Sequence, residues 1–267
     1  MPLLQLILVA ALQGLTEFLP VSSSAHLILL PKLSGMADQG LAIDVAVHVG
    51  TLVAVTIYFW REVSMGLAGI PRMLTGRIDT PGARLAFLLL IATVPVILVG
   101  LILKVTGAME AMRSVALIGW TMIIFGIVLW ICDRYGAQGR TTPDWTLRDA
   151  VILGLWQAVA LIPGTSRSGA TISGARALGY DRESSARISM LMSIPTIVAS
   201  GVLLGADVIQ NPDPGILRDG AIAAGFACIA ALIALSLMMR LLRSVSFTPY
   251  VMYRMILGAI LLIIAYS

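Results

Sequence analysis

Twice in this 267-residue chain, an apolar stretch too short to cross a bilayer is broken by a polar, proline-bearing segment and then resumes. The first break reads Gln13-Gly-Leu-Thr-Glu-Phe-Leu-Pro-Val-Ser-Ser-Ser-Ala-His26 and the second Pro163-Gly-Thr-Ser-Arg-Ser-Gly-Ala-Thr171. The stretches around them, 3–17 with 22–33 and 147–161 with 168–178, would form short helices. A helix of ~14 residues is ~21 Å long, whereas a hydrocarbon core is about 30 Å thick. Each pair is therefore expected to be a re-entrant helical hairpin that enters and leaves on one side. Its non-helical tip is tolerated at that depth only when protein or a wet cavity surrounds it.

The rest of the chain is membrane-like. Hydrophobic residues make up 58% and charged residues 12%, and the mean hydropathy is +0.95. A soluble domain carries roughly twice that charge, so no separate soluble domain fits. Six further segments, roughly 42–60, 84–104, 113–132, 187–207, 219–242 and 249–266, are long enough to span. Each half then holds one hairpin and three spans, an odd number of crossings. The fold expected is an all-α polytopic membrane protein of two inverted-topology repeats, about 1–140 and about 141–267. In it the hairpins enter from opposite faces and their tips meet near the midplane.

Charge sets the expected orientation. The net charge of +4 is carried mainly by arginine, with Lys32 and Lys104 the only lysines. No basic face clusters as nucleic-acid binding would need. The loops at about 61–84, 133–148, 176–187 and 240–248 hold twelve arginines, among them Arg61, Arg84, Arg140, Arg176, Arg182 and Arg243. The other side has Lys32, Lys104, Arg113 and Arg218. By the positive-inside rule the arginine-rich side is cytoplasmic, and the first hairpin and the C-terminus face outward. Cys132 and Cys228 lie within apolar runs and are read as packing residues. No lysine or arginine precedes Lys32, so no signal-peptide n-region is expected.

Ionisable groups inside a membrane are costly, and a cluster of them marks a functional site. Aligning Pro20 with Pro163 places Ser23 on Ser166 and Ser24 on Arg167. Ser22 and Ser166 are natural N-caps, and two helix N-termini converging at mid-membrane suit an anion. Arg167 adds a planar fork matched to phosphate oxygens. The bland reading leaves these serines as caps and Gly164 and Gly169 as easers of tight backbone contact. Ser22 and Ser23 share a helix face with His26, and a hydroxyl beside an imidazole is the minimal activated nucleophile. Gln13 and Glu17 share another face. A buried Glu17 must pair with Arg167, hold a divalent cation or take up a proton. His48, with Asp44 one turn before it, reads as a packing histidine. Arg254 reads as snorkelling from the last span, with bracing of the second hairpin as its alternative. Pro95 and Pro195 occupy matching places and are expected to kink helices around the cavity.

At Gln13-Gly-Leu-Thr-Glu17, Pro20-Val-Ser-Ser-Ser-Ala-His26 and Pro163-Gly-Thr-Ser-Arg-Ser-Gly-Ala-Thr171 the chain resembles the undecaprenyl-pyrophosphate phosphatases named after bacitracin resistance. The resemblance covers essentially its whole length. It implies a bacterial inner-membrane hydrolase that cleaves a polyprenyl pyrophosphate to the monophosphate on the outward side with a divalent cation, Mg²⁺ or Ca²⁺. The product is the lipid carrier of peptidoglycan synthesis. The family's first motif position takes Glu or Gln, and Gln13 leaves Glu17 as the main metal or base residue.

The site implied is Gln13, Glu17, Ser22, Ser23, Ser24, His26, Ser166, Arg167, Ser168 and Thr171, with Thr165 beside them. Arg167 and the helix N-termini would bind the pyrophosphate, Ser23 would attack or orient a water, His26 would shuttle the proton and Glu17 would hold the metal. The partners expected are the lipid substrate, membrane lipids and, as a candidate, a second copy of the chain. The rival class is a polyprenyl-phosphate transporter, because inverted repeats with broken helices are also a transporter design.

Overall fold

The structure, a computed structural model, describes residues 1–35, 37–108, 112, 114–209 and 214–267. Arg113, one of the orienting charges named above, lies outside the described residues. The elements are α1 (Leu3–Thr16), α2 (Ser23–Ser34), α3 (Leu41–Tyr58), α4 (Trp60–Leu74), α5 (Pro81–Val105) and α6 (Val115–Tyr135). A single 3₁₀ turn (Thr142–Asp144) follows, then α7 (Leu147–Val159), α8 (Arg167–Ala177), α9 (Arg182–Ile209), α10 (Pro214–Leu241) and α11 (Thr248–Tyr266). Six helices, α3, α5, α6, α9, α10 and α11, are long and apolar enough to cross a membrane. The protein is an all-helical, multi-pass membrane protein, with its spans at the six expected places.

Local chemistry sets the boundaries. Thr80 and Ser114 cap α5 and α6, accepting hydrogen bonds from the backbone N–H groups of Ala83 and Leu117, and Pro81 pre-sets the first turn of α5. Thr146 and Asp149 form a reciprocal capping box at the start of α7. Pro95 and Pro195 lie inside α5 and α9 as expected.

One element departs from the sequence reading. The stretch 61–84 is not simply a loop, since most of it is α4, an amphipathic helix with Gly66, Gly69 and Pro71 inside it. Those residues hide it in the sequence, yet the glycines are its contact face. A Cβ on Gly69 would lie 2.2 Å from the backbone nitrogen of Ala83, and one on Gly82 would lie 2.2 Å from the Met65 carbonyl. Helix α4 folds back on α5 at backbone distance.

Small residues bring the two halves together elsewhere, as is usual where lipid supplies no hydrophobic drive between helices. Helices α1 and α3 both pack on α10. A Cβ on Gly14 would meet the Ala227 carbonyl at 2.5 Å, and one on Gly50 the Ala224 carbonyl at 2.2 Å. Helix α7 packs on α5 in the same manner, with Gly154 against the Ala92 carbonyl and Pro95.

The arginine-rich loops gather at one end of the bundle. There Arg187 pairs with Glu62 and Glu183, Arg243 with Glu183, and Arg182 with Asp133. Arg176 is a correction to the count of loop charges. It belongs to α8, is fully buried, and donates to Asp133 and to the carbonyls of Asp133, Gly136, Ala137 and Tyr180. Arg140 ties Asp149 and Tyr180 together at the same end. Burial pushes the Asp149 carboxyl up, but hydrogen bonds from Arg140, Thr146 and Tyr180 outweigh it and hold its pKa at about 2. Stability from this pairing is present above the ordinary aspartate range and is lost as pH falls toward that value. At the opposite end the Met1 amino group pairs with Asp219, and Gln5 donates to the Ala37 carbonyl.

A methyl group at Gly50 must push α3 off α10. Gly50→Ala is expected to lower the melting temperature by several degrees, as overpacking of about 1–3 kcal/mol implies. Gly225→Ala, whose new Cβ meets nothing within 4 Å, should leave it unchanged. Equal melting of both variants in detergent would contradict the backbone-to-backbone packing.

Candidate active site

The turns between α1 and α2 and between α7 and α8 meet inside the bundle. Each ends on a serine with left-handed backbone, Ser22 at φ 70° and Ser166 at φ 71°; among the described residues no other non-glycine residue has positive φ. Such conformations cost of order 1–3 kcal/mol and persist only where the surroundings over-determine them. They also correct the alignment of the halves. Ser22 matches Ser166, so Ser23 corresponds to Arg167, Ser24 to Ser168 and Gln13 to Gln157. The proline alignment slips by one because two steps separate Pro20 from Ser22 and three separate Pro163 from Ser166.

Arg254 fixes both turns. It is fully buried on α11 and donates to the carbonyls of Pro20 in the first turn, Gly164 in the second, and Thr121 and Met122 on α6. The snorkelling reading is overturned, and the bracing role extends to both turns. Gly169 allows this approach, because a Cβ there would lie 2.8 Å from the Arg254 guanidinium, and Gly164 (φ +87°) lets the second turn lie against α6, since a Cβ there would lie 2.2 Å from the Thr121 hydroxyl. The Thr121 hydroxyl donates to the Pro163 carbonyl at 2.6 Å, and the Ser168 hydroxyl donates across the junction to the Leu19 carbonyl at 2.9 Å.

The braced turns bring Glu17, Ser23, Gln13 and Arg167 into one cluster. Arg167 donates to Glu17 Oε1 at 2.8 Å. The Ser23 hydroxyl donates to Glu17 Oε2 at 2.6 Å, and Gln13 Nε2 donates to the same oxygen at 2.9 Å. His48 Nε2 stands 3.8 Å from Oε2, turned there because its Nδ1 donates to the Asp44 carbonyl. A carboxylate in such a place is stable only because a guanidinium and two hydrogen-bond donors, Ser23 and Gln13, compensate it. Arg167 keeps a buried Nη1 with no partner among the described residues, and the Gln13 Oε1 and Thr165 hydroxyl are in the same condition.

The expected Ser23–His26 bond is replaced. His26 Nδ1 donates to the Ser22 carbonyl at 2.7 Å, so its Nε2 accepts from the Tyr253 hydroxyl at 2.5 Å, and the two rings are stacked. Both ring nitrogens are engaged, and the hydroxyl of Ser23 belongs to Glu17. Ser22 does not cap α2 with its side chain, and its hydroxyl pairs with that of Ser24 at 3.2 Å. Ser166 does cap α8, accepting from the Gly169 N–H. Thr171 is committed to Ser189 and to its own helix, so it stands behind the cluster as support. Tyr253 was not singled out in the sequence, and His48 was set aside. The i−4 carbonyl of each histidine would have been a usable signal for ring orientation, although not for what the ring faces.

Glu17 and the orphaned Gln13 oxygen are hard oxygen donors of the kind that hold Mg²⁺ or Ca²⁺ together with substrate phosphates. Among the described residues no three His, Cys, Asp or Glu side chains converge into a metal cage. The residues therefore fit a cation shared with a phosphate ligand.

Comparison with known proteins adds the following. The family model described as bacitracin resistance protein BacA matches residues 6–260. The chain is 69% identical over its full length and that of the relative to an undecaprenyl-diphosphatase of Ruegeria pomeroyi. It is 67% identical, again over the whole of both chains, to an undecaprenyl-diphosphatase of Jannaschia sp.. An undecaprenyl-diphosphatase 1 of Rhodospirillum rubrum is 43% identical over all of this chain and 96% of its own.

Lysine at position 254 keeps the charge but cannot reach four carbonyls at once. Buried acceptors left without donors cost roughly 1–3 kcal/mol each. Arg254→Lys is expected to lower the melting temperature and to reduce phosphate release at least about tenfold. Wild-type values for both would return Arg254 to a peripheral role.

Proposed function

The chain belongs to the bacitracin resistance protein BacA family, and from that premise we propose that the Glu17 cluster is where it hydrolyses undecaprenyl pyrophosphate. The reaction yields undecaprenyl phosphate, the lipid carrier reused in cell-wall synthesis, and inorganic phosphate. The observation that carries the assignment is the 2.6 Å hydrogen bond from the Ser23 hydroxyl to Glu17, with Arg167 on the other carboxylate oxygen.

Ser23 Oγ attacks the terminal phosphorus while Glu17 Oε2 takes its proton. The bridging P–O bond breaks, and undecaprenyl phosphate leaves with the electron pair. Glu17 passes the serine proton to the freed phosphate oxygen. Water then attacks the phosphoserine, Glu17 takes its proton and returns it to Ser23 Oγ as the serine O–P bond breaks, and phosphate is released. Arg167 Nη1 and the Thr165 hydroxyl, without partners among the described residues, supply donors for the phosphoryl oxygens. Preorganised donors of this kind carry most of the catalysis in phosphoryl transfer. A divalent cation held by Glu17 and Gln13 Oε1 with the substrate phosphates would neutralise charge on the pyrophosphate. His26, held by Ser22 and Tyr253, is a positioning residue at the start of α2. A transporter would need the braced turns but not a hydroxyl hydrogen-bonded to a carboxylate, which favours the hydrolase.

The same reading covers architecture. Helices α1 and α2 would form one re-entrant hairpin and α7 and α8 the other, in two inverted repeats with the first hairpin opening to the periplasm of a bacterial inner membrane. Support comes from the charged ends, Met1–Asp219 at one and Arg140–Asp149 at the other, and from the turns that meet between them. A reporter fused after Ser267 is expected outside and one in the 75–80 loop inside; both on the same side would contradict the inversion.

Ser23→Ala and Glu17→Gln are each expected to lower phosphate release from the lipid pyrophosphate roughly a hundredfold or more. His26→Ala should keep a larger fraction. Ser23→Ala within a few-fold of wild type would move the attack to a water on Glu17. Full activity in Glu17→Gln would remove the cluster from the chemistry altogether.

A further inference from the structure

At the arginine-rich end lies a cavity of about 780 Å³, none of whose lining residues belongs to the Glu17 cluster. Its charged rim includes Glu62, Asp79, Arg84 and Arg187. Leu88 and Leu191 line it one helical turn beyond Arg84 and Arg187, so the wall becomes apolar inward. A charged rim over an aliphatic interior is the profile of an amphiphile site.

The rim charges are unequally matched. Glu62 accepts from Arg187, and Asp79 accepts from Arg72 through two hydrogen bonds, so both carboxylates are compensated. Arg84 has no carboxylate partner among the described residues, and its hydrogen bond goes to the Trp145 carbonyl at 2.8 Å. Trp145 also lines the cavity, is 2% exposed, and has an indole N–H with no acceptor among the described residues. Buried donors are normally satisfied, and an orphan calls for an explanation. Here an exposed guanidinium without a carboxylate partner among the described residues and a buried, orphaned indole N–H, tied together by one hydrogen bond, share a cavity whose acids are already paired. What they lack is an anion with acceptor oxygens, and what the wall lacks is a hydrocarbon chain.

We propose that this cavity binds one phosphate-bearing lipid, with the phosphate at Arg84 and Trp145 and the chain along Leu88 and Leu191. A phospholipid of the surrounding leaflet and a polyprenyl monophosphate share that chemistry. The site stands independently of the catalytic assignment.

The test is native mass spectrometry of the delipidated full chain in neutral detergent, titrated with phosphatidylglycerol or with diacylglycerol. Wild type is expected to retain one phosphatidylglycerol at least about tenfold more tightly than Arg84→Gln, a factor a charged phosphate contact readily supplies. Trp145→Phe, which keeps the ring and removes the donor, should weaken retention in the same direction. Diacylglycerol should not be retained, and Arg84→Gln should release phosphate from the pyrophosphate substrate at the wild-type rate. Displacement by polyprenyl monophosphate at lower concentration would identify that lipid as the occupant, and its failure to displace would identify the leaflet phospholipid. Equal retention by wild type and both variants, or equal retention of diacylglycerol, would overturn the proposal. Displacement by inorganic phosphate at comparable concentration would overturn the lipid assignment.

Discussion

The junction of the two turns depends on one buried guanidinium. Arg254 spends its donors on carbonyls of Pro20, Gly164, Thr121 and Met122, and so joins two non-helical turns to each other and to α6. In a membrane such carbonyls have no water to turn to, and an unmatched charge would be equally costly. Each solves the other's problem. The turns can be non-helical inside the bundle because an arginine satisfies them, and the arginine can be buried because the turns expose carbonyls.

The fold makes room for that arrangement with small side chains. Gly169 lets the guanidinium approach and Gly164 seats the second turn on Thr121 of α6, while Gly14 and Gly50 set α1 and α3 against the backbone of α10. Close packing then leaves little freedom to the two left-handed serines. Ser22 starts α2 so that Ser23 faces Glu17, and Ser166 starts α8 so that Arg167 faces the same carboxylate from the other half. The two halves contribute different chemistry at matching positions, a hydroxyl at one and a guanidinium at the other. A shared carboxylate, Glu17, holds the two together.

Much of this was legible in the sequence, for reasons that also explain what was not. Long apolar runs mark the six spans because lipid tolerates little else, and an ionisable pair such as Glu17 and Arg167 stands out against them. Helix α4 was hidden because Gly66, Gly69 and Pro71 look like loop residues, whereas the glycines form its contact with α5. Proline as the fixed point puts the two halves one residue out of register with the positive φ shared by Ser22 and Ser166. Arg254 was misread for a different reason: its position near a span end permits snorkelling, and only the approach of two distant turns makes burial the better state. The pairing of Ser23 with Glu17 in place of His26 depends on the Ser22 carbonyl and Tyr253, a contact 227 residues away that no local pattern encodes.

The most direct measurement of the central claim is a double-mutant cycle between Glu17 and Arg167, read as phosphate release from undecaprenyl pyrophosphate by purified protein. If the two halves act as one catalytic unit, Glu17→Gln and Arg167→Gln each remove most of the rate, and the double variant is little slower than the slower single. Additive losses, with the double variant slower by the product of the two effects, would mean that Glu17 and Arg167 work independently and would contradict a site assembled across the junction.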